Sequence, residues 1–329
     1  MRVLVTGGAG YIGSHTAKFL RRRGMSPVVL DDLSAGHRDF VRYGPLEQGD
    51  IRDEARVLDV LKRHAIEAVI HFAAKALVSE SFLAPEAYFS VNVAGMISLL
   101  GAMKRADVRR LVFSSSCAVY GPAQAERIAE DHALAPVSPY GLSKLQGEQV
   151  LESVGRTFGL RWAVLRYFNV IGADPEGELC EWHEPETHLL PNLLRAALVG
   201  GEFTLYGDRH PTADGTAVRD YVDVMDLART HGEALDALER QERLISNVGT
   251  GDGVSVRQML ALVEQAAQRP VRVRIEAPRR GDPPRLVADH RRLLGWSPGA
   301  RAGFVPLQES VRTALCAMKA RQKPAREAK

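Results

Sequence analysis

Within Ser138-Pro139-Tyr140-Gly141-Leu142-Ser143-Lys144-Leu145, two residues have types and spacing suited to moving a proton. Ser138 suits a helix cap, Pro139 suits the first turn, and an amphipathic run follows. Four apart on that helix, Tyr140 and Lys144 share one face. A phenol titrates at about 10 and is a poor base at neutral pH. A cation held beside it favours the phenolate and lowers that value. Tyr-x-x-x-Lys is therefore a device for proton transfer near neutrality. A surface tyrosine and lysine at helical spacing look the same in sequence, so the assignment depends on what the rest of the chain places beside them. Ser116, the last of the run Ser114-Ser115-Ser116, is a partner only if the fold brings it to Tyr140.

The elements that must position this pair begin at the N-terminus. Arg2-Val3-Leu4-Val5-Thr6 is a β-branched run, Gly7-Gly8-Ala9-Gly10-Tyr11-Ile12-Gly13 follows, and a helical pattern runs from Ser14 to Arg23. Gly7, Gly10 and Gly13 fall where a turn must be tight, where backbone must approach a pyrophosphate, and where helix must pack on strand. The next strand, Pro27 to Leu30, ends in Asp31-Asp32. An acid there accepts from adenosine ribose hydroxyls and repels a 2′-phosphate, favouring NAD over NADP. The alternative for Asp31 is an ordinary acidic loop residue. Asp50-Ile51 closes a short strand and could border the adenine. The apolar strand Ala68 to Phe72 leads into Ala73-Ala74-Lys75, where small residues let a cofactor lie close. A helix around Val91 to Ala106 carries Asn92, and the strand Arg110 to Phe113 ends in the serine run.

Strand and helix in turn, without hairpin signals, predict an α/β fold with a doubly wound, Rossmann-type parallel sheet. Ligands gather at the carboxyl ends of such strands, where Ser116 and His71 stand. His71 lies within a buried strand and reads as a satisfied core histidine.

The chain of 329 residues can bury a full core. Its net charge of +3 is too small to argue for nucleic acid or membrane as a partner. No apolar run is read as long enough to span a bilayer, and the N-terminus lacks a signal-peptide pattern. Cys117, Cys180 and Cys316 are odd in number and far apart, which suits a reducing cytoplasm better than a disulfide framework.

After Gly172 the character changes. The expected division is a cofactor domain over 1–172, with 219–239 packing back on it, and a smaller, interleaved α/β substrate domain over 173–329. Ala173 to Glu186 is rich in Asp, Glu, Pro and Gly and reads as a long solvated loop. Cys180, His183, Glu184 and His188 raise the question of a metal, but their spacing matches no zinc pattern, so none is expected. Tyr206, at the end of the strand from Phe203, could present its ring to a base. Arg219 is the best phosphate candidate, since a guanidinium pairs bidentately and keeps its charge. The alternative is a structural salt bridge to Asp220 or Asp223.

Three segments together resemble the extended short-chain dehydrogenase/reductase family: Gly7 to Gly13, Ser114-Ser-Ser-Cys-Ala-Val-Tyr-Gly121, and Tyr140-Gly-Leu-Ser-Lys144. The likeness is closer still to its branch that epimerises UDP-hexoses at C4. His71-Phe-Ala-Ala-Lys-Ala-Leu-Val-Ser-Glu-Ser81, Arg166-Tyr-Phe-Asn169, His188-Leu-Leu-Pro191, Tyr206-Gly-Asp-Arg-His-Pro-Thr212 and Asp214 to Leu227 extend it along most of the chain. The resemblance implies tightly bound NAD and reversible 4-epimerisation of UDP-galactose and UDP-glucose through a transient 4-keto sugar. It implies Tyr140 as proton acceptor, with Ser116 and Lys144 as its partners. Implied cofactor contacts are Gly7, Gly10, Tyr11, Ile12, Gly13, Asp31, Asp32, Leu33, Ser34, Ala35, Gly36, Asp50, Ile51, Phe72, Ala73, Ala74, Lys75, Ala76, Asn92, Ser116, Tyr140, Lys144 and Phe168. Implied UDP-sugar contacts are Ser116, Tyr140, Asn169, His188, Leu189, Thr204, Leu205, Tyr206, Arg219, Arg279 and Asp282, with Leu286 bounding the pocket near C2 of the sugar.

The sequence departs from the family pattern at Arg279-Arg280-Gly281-Asp282, which is one residue short, so either arginine could meet the phosphate. The family's dehydratases carry an acid pair after the strand-end serine or threonine. Here Cys117-Ala118 stands there, which disfavours dehydration. The resemblance also implies a homodimer through the helices near Asn92 and Tyr140. Alternatives are an epimerase for UDP-N-acetylhexosamines or UDP-pentoses, a net sugar-nucleotide oxidoreductase, and a non-catalytic nucleotide sensor; the last sits badly with the retained Tyr140 and Lys144.

Overall fold

The computed structural model describes residues 1–122, 125–279 and 283–322. Its main element is a seven-stranded sheet in the order Arg243–Val248, Arg161–Tyr167, Arg110–Ser116, Ala68–His71, Arg2–Thr6, Ser26–Asp31, Leu46–Gln48. Every neighbouring pair is parallel. The apolar strand interiors explain this. Val3, Leu4, Val5, Val69, Ile70, Leu111 and Val112 are fully buried, so both faces of the sheet need helices over them. Two apolar clusters supply the covers, one with Leu58, Met96 and Leu99, the other with Leu20, Leu227 and Leu235.

From Arg2–Thr6 the chain first winds outward through Ser26–Asp31 and Leu46–Gln48. It then returns to the other side through Ala68–His71. The switch point between Arg2–Thr6 and Ala68–His71 leaves a crevice at their carboxyl ends. Thr6 opens directly into the glycine loop there, and His71 into Phe72–Ala76.

Beyond Gly172 a second core forms around Leu190, Leu193, Tyr221, Met259 and Val311. Beside it lie a four-stranded sheet centred on Val218–Asp223, to which Asn169–Ile171 contributes from before Gly172, and a two-stranded one of Glu202–Tyr206 with Arg272–Glu276. Helix Val224–Ala237 leaves this part and packs on helix Tyr11–Arg22, so the two halves of the chain interleave.

Two segments differ from the sequence reading. The helical run Pro85–Ala106 is long and apolar enough to cross a membrane by length and composition, with mean hydropathy 1.2. It instead buries Met96, Leu99, Leu100 and Met103 under the sheet. The acidic loop after Gly172 is anchored at its start, not solvated throughout. Lys18, on the glycine-loop helix, is fully buried and donates to Asp174 (2.5 Å), Glu178 (2.6 Å) and Glu176 (2.9 Å). Isolated acids in a sequence look hydrophilic; three around one buried ammonium form an anchor. The three cysteines are free thiols.

Candidate active site

Helix Pro139–Gly155 begins as its sequence demands: the Ser138 hydroxyl accepts from the Gly141 amide at 3.1 Å, and Pro139 occupies the first turn. Tyr140 and Lys144 are 7% and 3% exposed, so the pair is not a surface feature. Ser116 ends strand Arg110–Ser116, and its hydroxyl lies near enough to the Tyr140 phenol to favour the phenolate. The three residues that sequence could only hope to unite do meet.

The electrostatics differ from the expectation. Burial drives the Tyr140 phenol well above its ordinary value; Tyr167 adds to the rise and the Ser116 hydroxyl opposes it. Lys144 does not offset this. Its ammonium donates to the Ser114 carbonyl at 2.9 Å and lies over the Phe113 ring. Burial lowers the Lys144 ammonium to about 8, with Glu148 pulling the other way. Burial therefore favours the neutral phenol at Tyr140.

A buried polar frame holds the pair. Asn92 bonds the Lys75 amide (2.8 Å) and carbonyl (3.0 Å), and donates to Ser143 at 2.9 Å. Ser143 in turn donates to the Tyr140 carbonyl at 2.8 Å. Asn92 thus links the Phe72–Ala76 loop to the helix bearing Tyr140, a positioning role that spends its amide. Below, Glu148 accepts from Ser115 at 2.5 Å and pairs with buried Arg166 at 2.6 Å. Sequence reasoning missed Ser114 and Tyr167, whose hydroxyls bond at 2.8 Å beside Lys144. The Arg166-Tyr-Phe-Asn169 motif carried the only available signal for Tyr167. His71 is the core histidine expected: Nδ1 meets the Thr6 hydroxyl at 2.7 Å, and burial lowers the ring to about 3.

The glycine loop fits a dinucleotide. Gly7 has φ +69°, and a Cβ there would stand 2.6 Å from the Ala73 amide nitrogen. A Cβ at Gly13 would be 2.3 Å from the Gly7 carbonyl. The helix starting at Tyr11 has no side-chain cap at Gly10, leaving its first backbone amides to face the crevice. The Tyr11 ring itself is committed, donating to the Gly172 carbonyl at 2.6 Å, and Ile12 packs on the core. Asp31 is buried at the strand end and accepts from Ala9 (3.0 Å) and Leu33 (2.9 Å). It shapes the loop as well as presenting a carboxylate. Asp32 caps Ser34, Ala35 is exposed, and Gly36 lies against Ala9 and Asp31. Asp50 is paired with Arg52 at 2.5 Å; Ile51 is buried against Gly95. Phe72 stacks at a tilt on His231, 4.6 Å between centroids, and Ala74 and Ala76 leave the crevice wall shallow.

On the other side, Phe168 and Leu286 join one apolar cluster with Leu145 of the Tyr140 helix. Leu286 pairs with Arg219 across parallel strands. The Arg219 charge acts on the Cys117 thiol, which places it at the crevice. The Asp220 carboxylate accepts the Thr250, Gly251 and Ala288 amides at 2.8–3.0 Å. Arg279 stacks over the Tyr206 ring at 4.1 Å. Thr204 bonds Arg274, and Leu205 is buried with only its backbone to offer. Asn169 is exposed at the start of its strand, and Leu189 opens helix Leu189–Val199. His188 turns Nδ1 to Glu186 at 2.8 Å. Arg280 and Asp282 lie outside the described residues.

Residues 3–249 match the model of the NAD dependent epimerase/dehydratase family. The chain belongs to that family. The UDP-glucose 4-epimerase of Rhizobium meliloti (strain 1021) is 47% identical over 301 residues, 90% of this chain and 92% of that protein. The crystal structure of UDP-glucose 4-epimerase from Brucella ovis in complex with NAD is 44% identical, with TM-score 0.91 over 96% of this chain and 97% of that one. The Stenotrophomonas maltophila enzyme with bound NAD and formylated UDP-arabinopyranose is 37% identical, with TM-score 0.93 over 98% of both chains. By the resemblance read in the sequence, a dehydratase carries its acid just after the strand-end serine. Cys117 fills that place, and burial raises its thiol to about 12. It holds its proton at neutral pH and cannot replace a carboxylate that abstracts one.

Proposed function

We propose that this protein interconverts UDP-galactose and UDP-glucose at C4 through a 4-keto sugar, using tightly bound NAD. The observation that carries the reading is the convergence of buried Tyr140, Ser116 and Lys144 at the strand ends, with Cys117 where a dehydratase needs an acid. Bound NAD⁺ supplies the hydride acceptor and a fixed positive charge, which the phenol of the protein alone lacks. Tyr140 takes the 4-OH proton and later returns it, and Ser116, beside the phenol, orients that hydroxyl. Lys144 keeps a cation below the pair, and the neutral thiol of Cys117 leaves elimination without a base.

Inversion requires the UDP half to be held while the hexose turns. Arg219, Tyr206 with Arg279, and the start of helix Leu189–Val199 are cast as the UDP clamp. Leu286 bounds the sugar's C2 side. Asp31, Gly7, Gly13 and the free amides at Tyr11 and Ile12 are cast as the NAD cradle. The cradle is assigned to the domain over 1–172, to which 219–239 returns with Arg219, and the rest of the clamp to 173–329. Exposed Phe82, Leu83 and Ile97 beside the Asn92 helix are the apolar surface for a homodimer in the cytoplasm.

The deciding experiment incubates purified protein with UDP-galactose and no added NAD, following the sugar protons by NMR. A fixed UDP-galactose/UDP-glucose mixture is the expected result. No conversion, even after NAD is added, sinks the assignment and directs the assay to UDP-N-acetylhexosamines and UDP-pentoses; NADH accumulating with substrate would indicate a net oxidoreductase.

A further inference from the structure

Four side chains that the proton-transfer pair does not use converge on the loop before helix Leu189–Val199. Glu181, His183, Glu186 and His188 each offer one ligand atom, and these atoms lie within 4.8 Å of one another. His188 Nδ1 is 2.8 Å from Glu186 Oε1 and 3.2 Å from Glu181 Oε1. His183 Nδ1 is 3.4 Å from Glu181 Oε1 and 3.7 Å from Glu186 Oε2.

Hydrogen bonding accounts for His188 but not for His183. The His183 Nδ1 atom is shut off from solvent and has no hydrogen-bond partner. Its two carboxylate distances exceed the ordinary N–H···O range. Glu181 and Glu186 hold the His183 ring as loose ion pairs, and an ion between them would turn both contacts into direct bonds. In a tetrahedral zinc site with N and O ligands at about 2.0–2.2 Å, neighbouring ligand atoms stand roughly 3.3–3.5 Å apart. The distances from Glu181 Oε1 to the two histidines, 3.4 and 3.2 Å, fall close to that edge, and Glu186 turns Oε2 to His183 and Oε1 to His188.

We propose that Glu181, His183, Glu186 and His188 form a closed, four-coordinate site for Zn²⁺. Imidazole and carboxylate suit this ion, and two carboxylates balance its charge. Four protein ligands leave no open position, so the role is structural. The His183 ring stands edge-on to Tyr11 of the glycine loop at 6.4 Å, and His188 directly precedes the helix at Leu189. The ion fastens the far end of the acidic loop between cofactor and substrate walls, as Lys18 fastens the near end. Only Nδ1 of His188 is used. The spacing Glu-x-His-x-x-Glu-x-His gives no familiar zinc pattern, and Cys180 and Glu184, which did draw the eye in sequence, are engaged by Arg321 and Trp182.

The test uses the full chain with its NAD, stripped of metal with EDTA and titrated with Zn²⁺ against a chromogenic chelator, then with Co²⁺ read by visible absorption. One Zn²⁺ per chain and the intense d–d bands of four-coordinate Co²⁺ are expected. The variant His183→Gln/Glu186→Gln should bind Zn²⁺ roughly 100-fold more weakly while keeping its NAD and circular dichroism. If that variant does not fold, the single His183→Asn must still weaken binding by about tenfold or more. No stoichiometric Zn²⁺ uptake, an unchanged affinity in His183→Asn, or weak octahedral Co²⁺ bands overturns the proposal and leaves an ion-paired cluster. None of these readouts depends on epimerase activity.

Discussion

The chain buries two lysines, and they are treated in opposite ways. Lys18 meets three carboxylates within 2.9 Å. Burial alone would lower its ammonium, but bonds to Asp174, Glu178 and Glu176 outweigh that and raise it. Lys144 meets a backbone carbonyl and an aromatic face, and burial lowers it to about 8. A saturated ammonium is an anchor whose charge is fixed. An ammonium left short of anions, beside a phenol, is poised for use. Desolvation is common to both; the count of neighbouring carboxylates decides the direction in which each ammonium shifts.

Substitution at each site should separate the two roles. Lys144→Met is expected to lower kcat by about 10²–10⁴, the usual range for losing a group of the proton-transfer machinery. Its unfolding free energy should not fall; relief of the buried ammonium should raise it by about 1–3 kcal/mol at pH 7, read by urea titration. Lys18→Met should do the reverse. It strands three acids and should cost about 3–5 kcal/mol of stability, with kcat changed by no more than roughly threefold at 25 °C. Equal losses of activity in both variants would erase the distinction.

The pH dependence sharpens it. Lys144 titrates at about 8 in the folded chain against a reference of 10.5, so between those values the unfolded chain binds more protons. Wild-type stability should therefore rise with pH across that window, and the advantage of Lys144→Met should shrink. A constant difference from pH 8 to 10.5 would mean that Lys144 is not destabilised by burial.

A smaller effect concerns a buried group outside the pair. His231 is lowered to about 4 by burial, against 6.5 unfolded. It holds stability that is present above about 6.5 and lost as pH falls toward 4, about 2 kcal/mol by pH 5. Asp223, raised to about 6 by burial, works in the opposite direction. His231→Leu should flatten the acid limb of the stability profile by about one proton, seen as the difference from wild type in urea titrations at pH 5 and 7.

Local pattern made much of this legible. The buried strand runs, the glycine spacing and the Ser138-Pro139 helix start are short-range features, and each sits in the element its residues favour. Tyr140 and Lys144 share a helix, so their spacing alone put them on one face. What spacing could not show was direction. Lys144 turns to the Ser114 carbonyl, and burial pushes the Tyr140 phenol up, with Tyr167 and Tyr88 adding to the rise. Asn92, expected as a cofactor contact, also ties Lys75 to Ser143, an arrangement that needs three distant segments at once.

The acidic loop marks the boundary most clearly. By itself the sequence determined its composition, and composition is the same whether a carboxylate faces water or an ammonium. Only the tertiary structure brought Lys18 to Asp174, 156 residues away, and set Glu181, His183, Glu186 and His188 within reach of one ion. Hydrophobic periodicity is a property of neighbours along the chain, so sequence carries it. The partner of a buried charge is a property of neighbours in space, and folding alone supplies it.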